Sequence, residues 1–149
     1  MRFLIPCTLV LAILFQACGG GTQTKTDNGG TEEVPESVKI AQWSKAMDAF
    51  HLVLAETYHP MEDGNMQPMH NQAEELAQKA LDWSNTPLPA GFAQSKMRDE
   101  LKKLAAEARD LANEVKAGAS DFDLRNAMTT FHEHFHDIDN LHYKLTQQK

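Results

Sequence analysis

From residue 37 onward, apolar residues recur every three or four positions, the period of a helix with one buried face. Ile40, Trp43, Met47, Phe50, Leu54 and Tyr58 form the first such line. Ser37 is a good N-cap for it, and Pro60 is expected to end it, because proline has no backbone donor and disfavours helix in the residue before it. Residues 61–65 then read as a turn. The second line is Met69, Ala73, Leu76, Ala77, Ala80 and Trp83, opening near Pro68, which suits a first helical turn. Residues 85–91, with Pro87, Pro89 and Gly91, break the pattern. The third line runs through Met97, Leu101, Leu104, Ala108, Leu111 and Val115, with charges on its other faces and Gly118 placed for a C-terminal cap. Ser120 followed by Asp123 has the form of a capping box, with Asp where Glu or Gln is usual. It opens a fourth line of Leu124, Met128, Phe131, Phe135, Ile138, Leu141 and Leu145. Strand signals are weak. The pattern predicts an all-α fold, an antiparallel up-and-down four-helix bundle over residues 37–149. The alternative is a three-helix bundle on which the alanine-rich second helix docks loosely.

Residues 1–17 follow a different plan. Arg2 precedes an apolar stretch that is too short to span a bilayer, which marks a secretory signal. Leu14-Phe15-Gln16-Ala17-Cys18 resembles a bacterial lipobox, with Phe15 in place of the usual aliphatic residue. The resemblance implies that Cys18 becomes the lipid-modified first residue of the mature protein and ties it to a membrane. Gly19 after the cysteine, rather than Asp, implies the outer membrane of a bacterial envelope. Residues 18–36 are polar and rich in Gly and Thr, so they read as a flexible tether.

The two cysteines are Cys7 and Cys18. With one in the signal and one acylated, the bundle has no thiol, which excludes a disulfide, Cys-ligated zinc and a thiol nucleophile there. The C-x-x-C-H motif of covalent haem is absent as well. The net charge of −7 gives no electrostatic case for nucleic acid and raises local cation concentration modestly.

Candidate chemistry concentrates near the end of the chain. Of seven histidines, His132, His134, His136 and His142 lie in the fourth helix, while His51, His59 and His70 lie in the first two. His132 and His136, spaced i and i+4, project from one helix face and can hold one ion between them. Counting from the shared pole of the bundle places His51 at a depth comparable to His132, with His59 at the pole itself. Asp139 continues the His132–His136 line. His51, His132 and His136, with His59 or Asp139 completing the shell, form a nitrogen-rich set that suits zinc or copper. His134 points away from Phe131 and Phe135 and is expected to be solvated. Met61, Met66 and Met69 crowd the first loop, where thioethers could take copper(I), though hydrophobic caps on a bundle end are the default reading.

Two rival chemistries have a partial signature. His132-Glu133-His134-Phe135-His136 fits the letters H-E-x-x-H of a zinc protease, but a short all-helical chain lacks the context for that reaction. The size and topology resemble cytochrome b-type four-helix proteins, which implies non-covalent haem held by Met47 and His142, with nothing else in the sequence selecting for it.

Tyr58-His59-Pro60, Gly64-Asn65 and His132-x-x-Phe135-His136, together with the lipobox and tether, resemble small bacterial lipoproteins with a histidine-bearing four-helix domain. That resemblance implies location and fold, not a reaction. The sequence thus leads to the expectation of a membrane-tethered periplasmic protein that binds zinc or copper as a buffer, carrier or sensor. The competing expectation is a metal-free adaptor of the envelope. No enzymatic group is named by either.

Overall fold

The structure, a computed structural model, describes residues 33–92 and 94–146. The signal segment, Cys18 and the tether up to residue 32 lie outside the described residues. Four helices follow in order: α1 (Glu36–Glu62), α2 (Gln67–Asn85), α3 (Gln94–Ala117) and α4 (Asp121–Thr146). Each packs on its neighbour in sequence, and α4 closes the ring against α1 through the least extensive of the four interfaces. This is an up-and-down four-helix bundle, as the periodicity predicts. Among the described residues, no helix is long and apolar enough to cross a membrane.

Most of the expected apolar lines face inward. All six named positions of α2 are buried, as are Met97, Leu101, Leu104, Ala108 and Leu111 of α3 and Leu124, Met128, Phe131, Phe135 and Ile138 of α4. The alternative of a loosely docked α2 is overturned. Its Ala73, Ala77 and Ala80 allow close helix approach, and α2 is packed between α1 and α3. In α1 the buried face is wider than one stripe, because two helices flank it. Val53, Thr57 and Met61 are buried there, whereas Ile40 is 45% exposed. Thr57 is satisfied inside the core by donating from Oγ1 to the carbonyls of Val53 and Leu54, both at 2.9 Å. An aromatic spine crosses the core, with Phe50 stacked on Trp83 at 5.4 Å and tilted against Phe135 at 5.6 Å.

The ends of α1 differ from the sequence expectation. The N-cap is Pro35, without a side-chain cap, and Ser37 already lies inside the helix. Pro60 does not end α1, which continues to Glu62. In the last turn a proline lacks only one backbone bond, so the helix passes through it. The stop comes from Gly64, at φ +87°, a left-handed conformation that glycine adopts without a Cβ penalty. Gly64 donates its N–H to Met61 at 3.0 Å and Asn65 donates to Pro60 at 2.8 Å, the paired bonds of a Schellman motif. Arg125 of α4 adds a donor to the Met61 carbonyl and so ties α4 to this terminus. Gly118 closes α3 in the same way, with Ala119 bonded to Glu114 at 3.0 Å. Ser120 then caps α4, its Oγ accepting the Asp123 N–H at 3.2 Å and donating to the Asp123 carboxylate at 2.6 Å.

Candidate functional site

The seam between α1 and α4 carries His51, His59, His132 and His136. On α4, the rings of His132 and His136 meet edge to face, with centroids 4.4 Å apart and planes at 85°. One turn of helix sets that spacing. The His132 ring also lies flat on Tyr58 of α1, at 3.7 Å and 11°. On α1, His51 stacks against Phe135 at 5.3 Å and 20°. His59 is exposed, with Nδ1 3.2 Å from Oε2 of Glu62.

The antiparallel register explains which residues meet. Tyr58 stands opposite His132, so His51, two turns earlier in α1, falls beside Phe135 rather than level with His132. Depth counted from the helix ends misplaces this register, because it takes the end of α1 and the start of α4 as level, whereas Arg125, a turn inside α4, is what reaches the Met61 carbonyl. His51 and His59 nonetheless lie within electrostatic reach of His132.

Burial, reinforced by the neighbouring His136 and His59, lowers the pKa of half-buried His132 from its ordinary 6.5, while Glu62 pulls the other way and His51 adds to the lowering. A neutral imidazole is the form that ligates a metal. The Tyr58 phenol is raised above 10, first by burial, then by the charges of Glu62 and Glu133 and by its hydrogen bond to Glu62. The seam thus carries four imidazole-bearing positions of α1 and α4 together with the Tyr58 phenol and the Glu62 carboxylate, which sequence spacing did not single out. Tyr58 and Glu62 are spaced i and i+4, so that pairing was readable once α1 extended past Pro60.

The remaining candidates are placed elsewhere. Asp139 stands with His142, 3.9 Å from its Nδ1. His142 lies against the rings of Phe92, at 5.4 Å, and Trp43, at 6.3 Å, at the opposite end of the bundle from His59. Met47, the other residue of the haem expectation, packs against the core from α1. His70 links the start of α2 to the start of α4 through Asp121 at 3.0 Å. Met61, Met66 and Met69 are buried, in accord with hydrophobic caps. Glu133 is exposed on α4.

His134 is not solvated. Its side chain is 10% exposed and is held between two carboxylates of α3, with Nδ1 2.6 Å from Glu107 and Nε2 3.1 Å from Glu100. The face away from Phe131 and Phe135 is turned toward α3, not toward water, which a helical wheel of α4 alone does not reveal.

Among the described residues, no group of three or more His, Cys, Asp or Glu side chains is arranged to hold a metal ion in this conformation. His132 and His136 form a pair of adjacent imidazoles on α4, whereas His51 stacks on Phe135 and His59 pairs with Glu62. No protein family, curated protein or solved structure matches the chain.

Proposed function

We propose that this chain is a lipoprotein of the bacterial envelope, tethered through Cys18, whose bundle binds a transition metal at the α1–α4 seam as a buffer, carrier or sensor. The observation that carries the metal reading is the His132–His136 pair, two adjacent imidazoles one helical turn apart on the seam. His51 and His59, both exposed on α1, supply further donors on side-chain rotation, with Asp139 a turn further along α4. The lowered pKa of His132 favours the ligating form near neutral pH. Such nitrogen-rich sets suit zinc and copper(II). The tether rests on the lipobox-like segment ending at Cys18.

The rival reading, a metal-free adaptor, draws on the open arrangement of the donors in this conformation. Elemental analysis and zinc and copper titration separate the two, using the full-length chain purified without a histidine tag. Near-stoichiometric metal, lost in His132→Ala/His136→Ala with the helical content kept, supports the metal reading. Weak binding that the double substitution leaves unchanged removes it. Mass spectrometry of Cys18 and of its Ser variant tests the acyl anchor separately.

A further inference from the structure

We propose that the groove between α1 and α2, away from the histidine seam, binds a fatty acid, with the carboxylate held between Lys45 and Lys79. The groove has a volume of about 610 Å³. That lies within the range of small-molecule sites, about 300–1,000 Å³, which are mostly apolar with a few placed polar groups. Ala46 and Ala49 of α1 line it, and their small side chains give it depth. Val34 and Pro87 line its mouth, just outside the ends of α1 and α2 at one pole of the bundle. Val34 is 39% exposed there, apolar surface that a ligand tail would remove from water.

Charge selects the head group. Lys45 of α1 and Lys79 of α2 line the groove from opposite walls. Lys45 follows the start of α1 at Glu36 and Lys79 precedes the end of α2 at Asn85, so they stand roughly 13 Å and roughly 9 Å inward from that pole. Among the described residues neither ammonium forms an ion pair, whereas Lys39 pairs with Glu33 and Glu36, and Lys103 with Glu107. Other polar groups of the groove are already engaged. Thr86 donates its Oγ1 to the Trp83 carbonyl at 2.7 Å, and the Asp82 carboxylate accepts the Gln78 amide at 2.8 Å. With Asp82 set against the two lysines, the groove stays cationic in a chain of net charge −7. Gln42 and Asn85 add only uncharged amides. A peptide would need backbone partners along the groove. An unbranched acyl chain needs none, and it can lie against the lysine stems with its tail toward Val34 and Pro87.

The test uses the full-length chain carrying Cys18→Ser, so that no acyl group of its own competes. Calorimetry measures binding of decanoate, of decanol as the uncharged tail and of acetate as the bare head. The same titrations are run with Lys45→Gln/Lys79→Gln, Val34→Asp and His132→Ala/His136→Ala added. The lysines are at the surface and Val34 lies outside every helix, so the fold is retained, as circular dichroism verifies. Decanoate is expected to bind the parent chain more tightly than decanol or acetate. The lysine pair should weaken it by about tenfold or more, the scale of one lost hydrogen bond to a charged group. Val34→Asp should weaken it too, and the histidine pair should not. Decanoate should also slow reductive methylation of Lys45 and Lys79 while leaving Lys102 of α3 reactive. A parent chain that takes up no decanoate overturns the site. Equal affinity for decanol, or binding that the lysine pair and Val34→Asp leave unchanged, overturns the assignment to this groove. Dimerisation in sedimentation that Val34→Asp abolishes, without decanoate uptake, gives the groove to a second copy and overturns the proposal as well.

Discussion

The imidazole of His132 lies flat on the phenol of Tyr58, 3.7 Å away, and this stack is the principal ring contact between the histidine pair of α4 and α1. It crosses the interface where the two helices share the least contact. Tyr58→Ala is expected to cost about 1 kcal/mol from the lost ring pair, plus a part of the ring's burial. Tyr58→Phe keeps the stack and removes only the hydroxyl, so it should cost less. Urea denaturation of the two variants measures the difference, and equal losses would show that the hydroxyl rather than the stack matters.

Burial and the adjacent histidines hold the His132 pKa below 6.5 in the fold. The unfolded chain, with its histidine near about 6.5, therefore takes up this proton first as the pH falls. The contribution to stability is complete above that unfolded value and is lost as pH falls through the lower native one. In metal-free protein, wild type is predicted to lose more stability than His132→Gln between about pH 7.5 and about pH 5. Parallel losses in the two proteins would contradict it, as would an NMR titration of His132 above 6.5.

His134 offers a prediction on the other side of α4. Replacing it with Ala leaves Glu100 and Glu107 facing each other across the vacated position with no ring between them. Hydrogen bonds to charged groups are worth about 1.5–3 kcal/mol, and partial solvent access to both carboxylates should bring the loss toward about 1–2 kcal/mol. Adding Glu107→Gln to His134→Ala should cost less than the sum of the single changes, because the two share one contact. Strict additivity in denaturation would show that the pair is not coupled.

The end of α1 can be tested by exchanging its two punctuation residues. Gly64→Ala places a Cβ in a left-handed conformation, with no neighbour within 4 Å to clash, so the cost is backbone strain of about 1–2 kcal/mol. Pro60→Ala should be neutral or mildly stabilising, since it restores an amide donor inside the helix. A destabilising Pro60→Ala with a silent Gly64→Ala would reverse the assignment of the helix stop.

The four lines of apolar residues were legible because each repeats its period over several turns, and Ser120 and Gly118 announced the α3–α4 corner. Pro60 misled, because a proline's effect depends on where in the helix it falls, and a glycine four residues later governed the end. The histidine pair of α4 was also legible, being a local i, i+4 relation. The partners of those histidines were not. Tyr58 opposite His132, and Glu100 and Glu107 around His134, follow from the register and rotation of helices against one another. Those are set by packing across the whole core rather than by any single helix.

The thin α1–α4 closure has a kinetic consequence. It joins the first helix to the last, so its contacts span the greatest loop and are the most costly in chain entropy to form early. The α2–α3 hairpin, local and extensively packed, is the natural nucleus. Substitutions at Tyr58 or His132 should therefore hasten unfolding while leaving the refolding rate nearly unchanged, which stopped-flow chevrons would reveal. The seam then acts as the latch of the barrel of helices: the last part to close, the first to open, and the place where a bound ion would most lengthen the lifetime of the folded state.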